Sequence, residues 1–136
     1  MGLEHPMDEN QRKFDSWLQA YGRAWENRDP TAAAELFSEE ATYRETPFDE
    51  PARGREAIAA YWARVTSGQE GIRFGHEVLI VSEDMGIARW WASFTNTRSG
   101  TPVEVDGIFV IRMDADDRCE EFREWWHVRE RDPERS

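Results

Sequence analysis

Apolar side chains recur at helical spacing in the first part of the chain. Starting from Phe14 they fall three, four, seven and eleven residues further along, which places them on one face of an α-helix. This face comprises Phe14, Trp17, Leu18, Tyr21 and Trp25. Charged and polar side chains occupy the opposite face. The pattern predicts an amphipathic helix that begins near Asp8 and ends near Asn27.

Two shorter helices and one short strand are predicted next. The pair Asp29-Pro30 combines a preferred N-cap residue with proline at the first helical position, which predicts a second helix through Phe37. The stretch 41–46 is typical of a short strand, and two prolines make 47–53 a predicted loop. A third helix is predicted after Gly54, with a buried stripe of Ile58, Tyr61, Trp62 and Val65.

After Gly71 the period changes from helical spacing to strict alternation, which is typical of half-buried strands. Turn residues divide this part into four strands, whose alternating apolar sets include Phe74, Trp90, Phe109 and Phe122. The order of elements contains no strand–helix–strand alternation, so a doubly wound parallel sheet is excluded. The predicted fold class is α+β, with the helices on one face of a curved antiparallel sheet.

The length and the aromatic content of the chain predict one domain with a bulky interior. A chain of 136 residues is close to the commonest domain size. We assign a single domain to 8–129, a flexible lead-in to 1–7 and a flexible tail to 130–136. The chain has seven Trp, seven Phe and three Tyr residues, and seven Trp is a large number for a small domain. This excess predicts an aromatic cavity wall or an interface, and bulky core packing is the alternative.

Charge and cysteine content restrict the partners and the compartment. The net charge of −11 disfavours nucleic acids and anionic membranes, because both bind through basic patches. No run of eighteen apolar residues is present. The single cysteine, Cys119, cannot form an internal disulfide and fits a reducing compartment. We therefore expect a cytoplasmic protein.

Several segments resemble the nuclear transport factor 2-like superfamily, which includes SnoaL-like and ketosteroid isomerase-like domains. The resemblance covers about residues 10–129. It rests on the run from Tyr21 to Asp29, the segments Leu36–Tyr43 and Gly54–Ile58, and the strand motifs Val105-Asp106-Gly107 and Arg123-Glu124-Trp125-Trp126. The resemblance implies a cone-shaped sheet packed on three N-terminal helices, an α+β barrel that encloses an open-ended pocket. It also implies a homodimer formed through the outer face of the sheet.

The resemblance also suggests candidate catalytic residues. Glu45 falls where ketosteroid isomerases carry their proton-shuttling carboxylate, and Tyr21 falls where they carry a hydrogen-bonding phenol. The second acid of those isomerases is replaced by Phe109, which disfavours steroid isomerisation by their mechanism. Asp106, the nearest acid, has the opposite strand parity. The alternative for Glu45 is an exposed carboxylate at the rim. The alternative for Tyr21 is a core residue with a satisfied hydroxyl.

Glu124 is a candidate on the residue pattern alone. It alternates with Phe122 and Trp126, so a regular strand places it on an apolar face, where a carboxyl would titrate at high pH. The other register, with Trp125 and His127 facing inward, stays open. Pocket-lining candidates are Trp17, Tyr43, Phe48, Trp62, Trp90, Phe109, Phe122 and Trp126.

The sequence contains no motif for a cofactor or for covalent catalysis. No His, Cys and Asp set has metal-ligand spacing, and no glycine-rich phosphate loop or nucleophile elbow is present. We therefore expect no metal and no cofactor. Three hypotheses follow: a cofactor-independent isomerase, cyclase or dehydratase acting on a small apolar ring compound; a non-catalytic binder of such a compound; and a dimeric interaction module.

Overall fold

The computed structural model describes residues 8–131 and begins with a long helix, α1 (Glu9–Glu26). Asp8 caps this helix: its Oδ1 accepts the backbone N–H of Gln11, and the Gln11 side chain accepts the N–H of Asp8. This reciprocal pair satisfies two donors that a helix N-terminus leaves open. The predicted apolar face is confirmed, since its five residues are all buried: Phe14, Trp17, Leu18, Tyr21 and Trp25.

The other two helices are α2 (Pro30–Glu35) and α3 (Gly54–Thr66). The Asp29 side chain caps α2 by accepting the N–H of Ala32 at 3.0 Å. Helix α2 is shorter than predicted, because Phe37 belongs to the following strand. There Phe37 is fully buried and pairs with Cys119 of the last strand. Local periodicity does not reveal this long-range pairing.

Six strands form one curved, open sheet in the order β2-β1-β6-β5-β4-β3. They are β1 (Phe37–Arg44), β2 (Ala52–Arg53), β3 (Gln69–Ser82), β4 (Met85–Asn96), β5 (Pro102–Met113) and β6 (Cys119–Glu130). Strands β3 to β6 form an antiparallel meander, as predicted. Strand β1, however, pairs in parallel with β6, and the predicted loop contains the short strand β2. The sheet is therefore mixed.

Helix α1 is attached to strand β3 by polar contacts as well as by packing. His76 Nε2 lies 2.7 Å from Asp15 Oδ1, and the Glu26 carboxylate accepts the N–H of Phe74 at 2.9 Å. Between the helices and the sheet lies a cluster of rings in contact with one another. Tyr21 lies at its centre, within 5.4–6.4 Å of six other ring centroids: Trp17, Trp25, Trp62, Phe74, Phe109 and Phe122.

Within residues 8–131, no helix is long and apolar enough to cross a lipid bilayer. The same residues contain no group of three or more His, Cys, Asp or Glu side chains able to hold a metal ion. The predicted lead-in 1–7 and residues 132–136 of the predicted tail lie outside the described residues. Strand β6 extends one residue beyond the predicted domain boundary, to Glu130.

Gly107 allows two tryptophans to pack on neighbouring strands. It pairs with Trp90 on one side and with Trp126 on the other. A Cβ at this position would collide with the backbone oxygen of Trp125 and would lie 2.9 Å from Trp90 Nε1. A backbone oxygen in a paired strand has little freedom to move, so this position requires glycine.

We expect Gly107→Ala to lower the free energy of unfolding by about 1–3 kcal/mol, the usual cost of inserting a methyl group into a packed site. Gly68→Ala is the matched control, because a Cβ at Gly68 meets nothing within 4 Å. Urea unfolding of both variants measures the difference. Equal stability of the two variants would contradict this account of Gly107.

Candidate functional site

A cavity of about 280 Å³ lies between α1, α3 and the concave face of the sheet. Its wall is mostly apolar and aromatic. The rings that line it are Tyr21, Trp25, Tyr43, Tyr61, Trp62, Trp90, Phe94 and Trp126. Its polar or acidic lining residues are Glu45, Gln69, Asn96, Glu124 and Glu130. An apolar wall with a few polar groups is the usual composition of a small-molecule site.

Glu124 projects into this cavity and is only 6 % exposed. The register of β6 settles which face is inward: Phe122 is fully buried and Glu124 is opposite the core residue Phe109. Trp125 is 44 % exposed, so the alternative register, with Trp125 and His127 facing inward, is excluded. A carboxyl group is thus held on the apolar face of the sheet.

Two phenols connect Glu124 to helix α1. The Tyr43 hydroxyl donates to Glu124 Oε2 at 3.1 Å, and the Tyr21 hydroxyl lies 3.0 Å from the Tyr43 oxygen. A hydroxyl has one proton to donate, so with Tyr43 donating to Glu124, Tyr21 must donate to Tyr43. The three groups form one buried hydrogen-bonded chain from α1 through β1 to β6.

The surroundings favour the protonated form of each member of this chain. Burial raises the pKa of Glu124 well above its ordinary value; the hydrogen bond from Tyr43 opposes this shift, and the negative charge of Glu45 adds to it. Burial and then the charge of Glu124 raise the pKa of Tyr21 and of Tyr43. Glu124 is thereby suited to remain a neutral acid at pH values where an exposed glutamate is ionised.

Glu45 is the second carboxyl of the cavity. It follows the end of β1, is half-buried and lines the cavity. Burial, then the charge of Glu124 and then that of Glu45 raise the pKa of Tyr61, a residue of α3 whose ring centroid lies 4.9 Å from that of Tyr43. Two carboxyls that differ in burial therefore face the same cavity.

The remaining predicted lining residues divide into three groups. Tyr43, Trp62, Trp90 and Trp126 line the cavity. Trp17, Phe109 and Phe122 lie in the core and do not line it, and the Trp17 indole N–H donates to the Leu36 carbonyl at 2.9 Å. Phe48 is 95 % exposed and does not line the cavity.

Sequence reasoning missed Gln69 and Asn96 as site residues. Gln69 lies just before the alternating pattern that begins after Gly71, yet it is 8 % exposed and accepts the Trp25 indole N–H at 2.8 Å. No local signal could have found this contact, because the two residues are 44 positions apart in sequence. Asp106 faces outward and pairs with Arg89, so it contributes nothing to the cavity.

The helices packed on one curved sheet define an α+β domain with the ketosteroid isomerase-like fold. A family model described as the SnoaL-like domain matches residues 18–122. The chain therefore belongs to the SnoaL-like family, and the resemblance to the nuclear transport factor 2-like superfamily is confirmed. No curated protein matches the chain.

Solved structures of low sequence identity share the fold. The epoxide hydrolase/cyclase-like enzyme SalBIII, described with a role in pyran ring formation in the polyether salinomycin, has a TM-score of 0.76 at 18 % identity and covers 90 % of this chain and 98 % of its own. A computationally designed 17-OHP binder has a TM-score of 0.75 at 17 % identity, with 86 % and 96 % covered. A hypothetical protein from Catenulispora acidiphila, solved with trimethylamine, has a TM-score of 0.71 at 19 % identity, with 80 % and 83 % covered.

The raised pKa of Glu124 predicts a pH-dependent loss of stability. Above the ordinary glutamate pKa of about 4.3, the unfolded chain has lost a proton that the folded chain retains, so stability falls as pH rises toward the folded pKa. Glu124→Gln keeps an acceptor for Tyr43 but does not titrate. From pH 5 to 8, we expect the free energy of unfolding of the wild type to fall relative to this variant, by at most about 1.4 kcal/mol per pH unit.

Urea unfolding at four pH values measures this difference. Glu40→Gln is the matched control, because Glu40 is an exposed carboxylate on β1. Its pH profile should run parallel to that of the wild type. Parallel profiles for the wild type and Glu124→Gln would show that Glu124 is not held neutral by burial.

Proposed function

We propose that this protein binds a small apolar ring compound in the aromatic cavity and acts on it as a cofactor-independent isomerase, cyclase or dehydratase. The observation that carries the proposal is the buried carboxyl of Glu124, held by Tyr43 inside a cavity that a second carboxyl, Glu45, also faces. Acid–base catalysis without a cofactor requires a proton donor and a proton acceptor at one site.

The two carboxyls differ in a way that suits opposite roles. Glu124 is buried with a raised pKa and serves as the acid, which donates a proton or a hydrogen bond to an oxygen of the ligand. Glu45 is half-buried next to solvent and serves as the base that accepts a proton from the ligand. Tyr43 donates a hydrogen bond to Glu124, and Tyr21 donates one to Tyr43, so the two hydroxyls position the Glu124 carboxyl.

The size and wall of the cavity suit a compact, apolar ligand. At the packing density of protein interiors, 280 Å³ holds about 200 Å³ of atoms, or roughly a dozen heavy atoms. One- and two-ring compounds fill such a space. Among proteins of the same fold, SalBIII is described as an epoxide hydrolase/cyclase-like enzyme and the designed protein as a 17-OHP binder, so the fold accommodates both chemistry and binding.

The first experiment follows tryptophan fluorescence and melting temperature during titration with one-ring terpenoids, two-ring aromatic ketones and steroids at pH 5.5 and 8. We expect a compact ring compound to quench the fluorescence and raise the melting temperature, more strongly at pH 5.5, where more Glu124 is neutral. Glu124→Gln should remove this pH dependence.

Turnover of the bound compound is then followed by mass spectrometry or chromatography. We expect Glu45→Gln to keep the affinity within a few-fold and to slow turnover by about 10²–10⁴-fold, as loss of a general base does. Glu40→Gln is the exposed control on the same strand. Tight binding without turnover would favour the non-catalytic binder instead. Turnover that survives both Glu45→Gln and Glu124→Gln would rule out the proposed acid and base roles of these two carboxyls.

A homodimer formed through the outer face of the sheet is part of the proposal. Trp91 and Trp125 lie on this face and are 39 % and 44 % exposed. Arg89 stacks over Trp91 at 4.8 Å, and Arg123 over Trp125 at 5.8 Å. Exposed tryptophan and arginine side chains grouped on one face are typical of protein–protein interfaces.

We expect Trp125→Glu to weaken self-association at least tenfold, because it places a charge in the centre of this face. Phe48→Glu is the control, since Phe48 is exposed in a loop away from the sheet. Analytical ultracentrifugation of the wild type and both variants measures the dissociation constant. A wild type that stays monomeric at about 100 µM, a concentration far above those at which stable dimers dissociate, would rule the dimer out.

A further inference from the structure

The cavity has a second polar region, built by the first residue of β3 and the last residue of β4. Gln69 and Asn96 are register partners there, and both line the cavity. Gln69 is 8 % exposed, and Asn96 is half-buried. Glu124 lies six residues before the end of β6, opposite Phe109, so it belongs to another part of the cavity wall.

The hydrogen bonds fix which way each amide points. Gln69 Oε1 accepts the Trp25 indole N–H at 2.8 Å, and an indole nitrogen can only donate. Asn96 Oδ1 accepts the backbone N–H groups of Arg98 at 2.9 Å and Ser99 at 3.4 Å, which also can only donate. The oxygen of each amide is therefore occupied, and the NH₂ group is the side that has no hydrogen-bond partner among residues 8–131.

Two further side-chain atoms of the cavity wall are buried without a partner among the described residues, and both are donors. The indole N–H groups of Trp62 and Trp90 are buried and have no partner within the part of the chain that the structure describes. A buried donor left unpaired costs about 1–3 kcal/mol, which a ligand acceptor can offset. The acidic side chains of the cavity besides Glu124 are Glu45 and, at the exposed end of β6, Glu130. These disfavour an anionic ligand.

From this distribution of donors we infer that the ligand carries a neutral acceptor oxygen, such as a ketone, ester, lactone or ether, which the side-chain amide of Gln69 binds, with Asn96 beside it. Gln69 is then a specificity-determining residue that selects an oxygen-bearing ring compound over a hydrocarbon or a carboxylate. The inference rests on the proposed function, because it names the class of ligand for the same cavity.

The test uses a ketone and a hydrocarbon of the same shape, 1-tetralone and tetralin, and compares their affinities by tryptophan fluorescence at pH 8. We expect the wild type to bind 1-tetralone at least tenfold more tightly than tetralin, and to bind the anionic 2-naphthoate more weakly than 1-tetralone. Gln69→Glu keeps the acceptor for Trp25 and replaces only the donor. It should reduce the tenfold preference to less than threefold.

Two further variants test the neighbouring amide and the effect of an added charge alone. Asn96→Asp keeps the acceptor for Arg98 and Ser99 and should lower the preference by a smaller factor. Thr97→Glu adds a charge on an exposed residue next to Asn96 and leaves both amides in place, so its preference should equal that of the wild type. Urea unfolding of each variant confirms that the fold is retained.

The possible failures are distinguishable. Equal affinity of the wild type for 1-tetralone and tetralin, or a preference unchanged in Gln69→Glu, would overturn the role of Gln69 and leave the proposed cavity function intact. Equal loss of preference in Thr97→Glu would also overturn it, because charge alone would then explain the effect. Failure of the wild type to bind any of the three compounds would contradict both the inference and the compact-ring ligand of the proposed function.

Discussion

The parallel pairing of strand β1 with strand β6 is the constraint on which the site depends. Tyr43 on β1 is the register partner of Phe122 on β6, and their rings stack with centroids 4.3 Å apart. This pairing brings the Tyr43 hydroxyl to the carboxyl of Glu124, two residues further along β6. Without it, a buried carboxyl on an apolar sheet face would have no donor to satisfy it. The same pairing places Glu45, just after β1, at the cavity that Glu124 faces.

The aromatic cluster packs the core and also contributes to the cavity wall. Tyr21 contacts rings from α1, α3 and the sheet, so a single side chain packs the core and also donates to Tyr43. Several rings of the same cluster, among them Tyr21, Trp25 and Trp62, also line the cavity. The side chains that pack the core therefore also shape the cavity wall.

Local patterns of apolar and polar residues predict much of the fold. The helical spacing from Phe14 to Trp25 predicts α1, and the alternation after Gly71 predicts the meander, because one buried face imposes its period on the sequence. The end of α2, the short strand β2 and the parallel pairing of β1 are not readable in this way. Each depends on a partner distant in sequence, as Phe37 depends on Cys119.

The candidate site, like the fold, is only partly predictable from the sequence. Sequence alone singled out Glu124 as a carboxyl on an apolar strand face, because residue alternation assigns faces. It left open whether Glu124 or Trp125 faces inward, since both neighbouring faces of β6 carry tryptophan. Only the tertiary structure decided this, by setting Glu124 opposite Phe109 and beside Tyr43. It also decided the surroundings of Gln69 and Phe48, because burial and hydrogen-bond partners come from segments that meet only when the chain is folded.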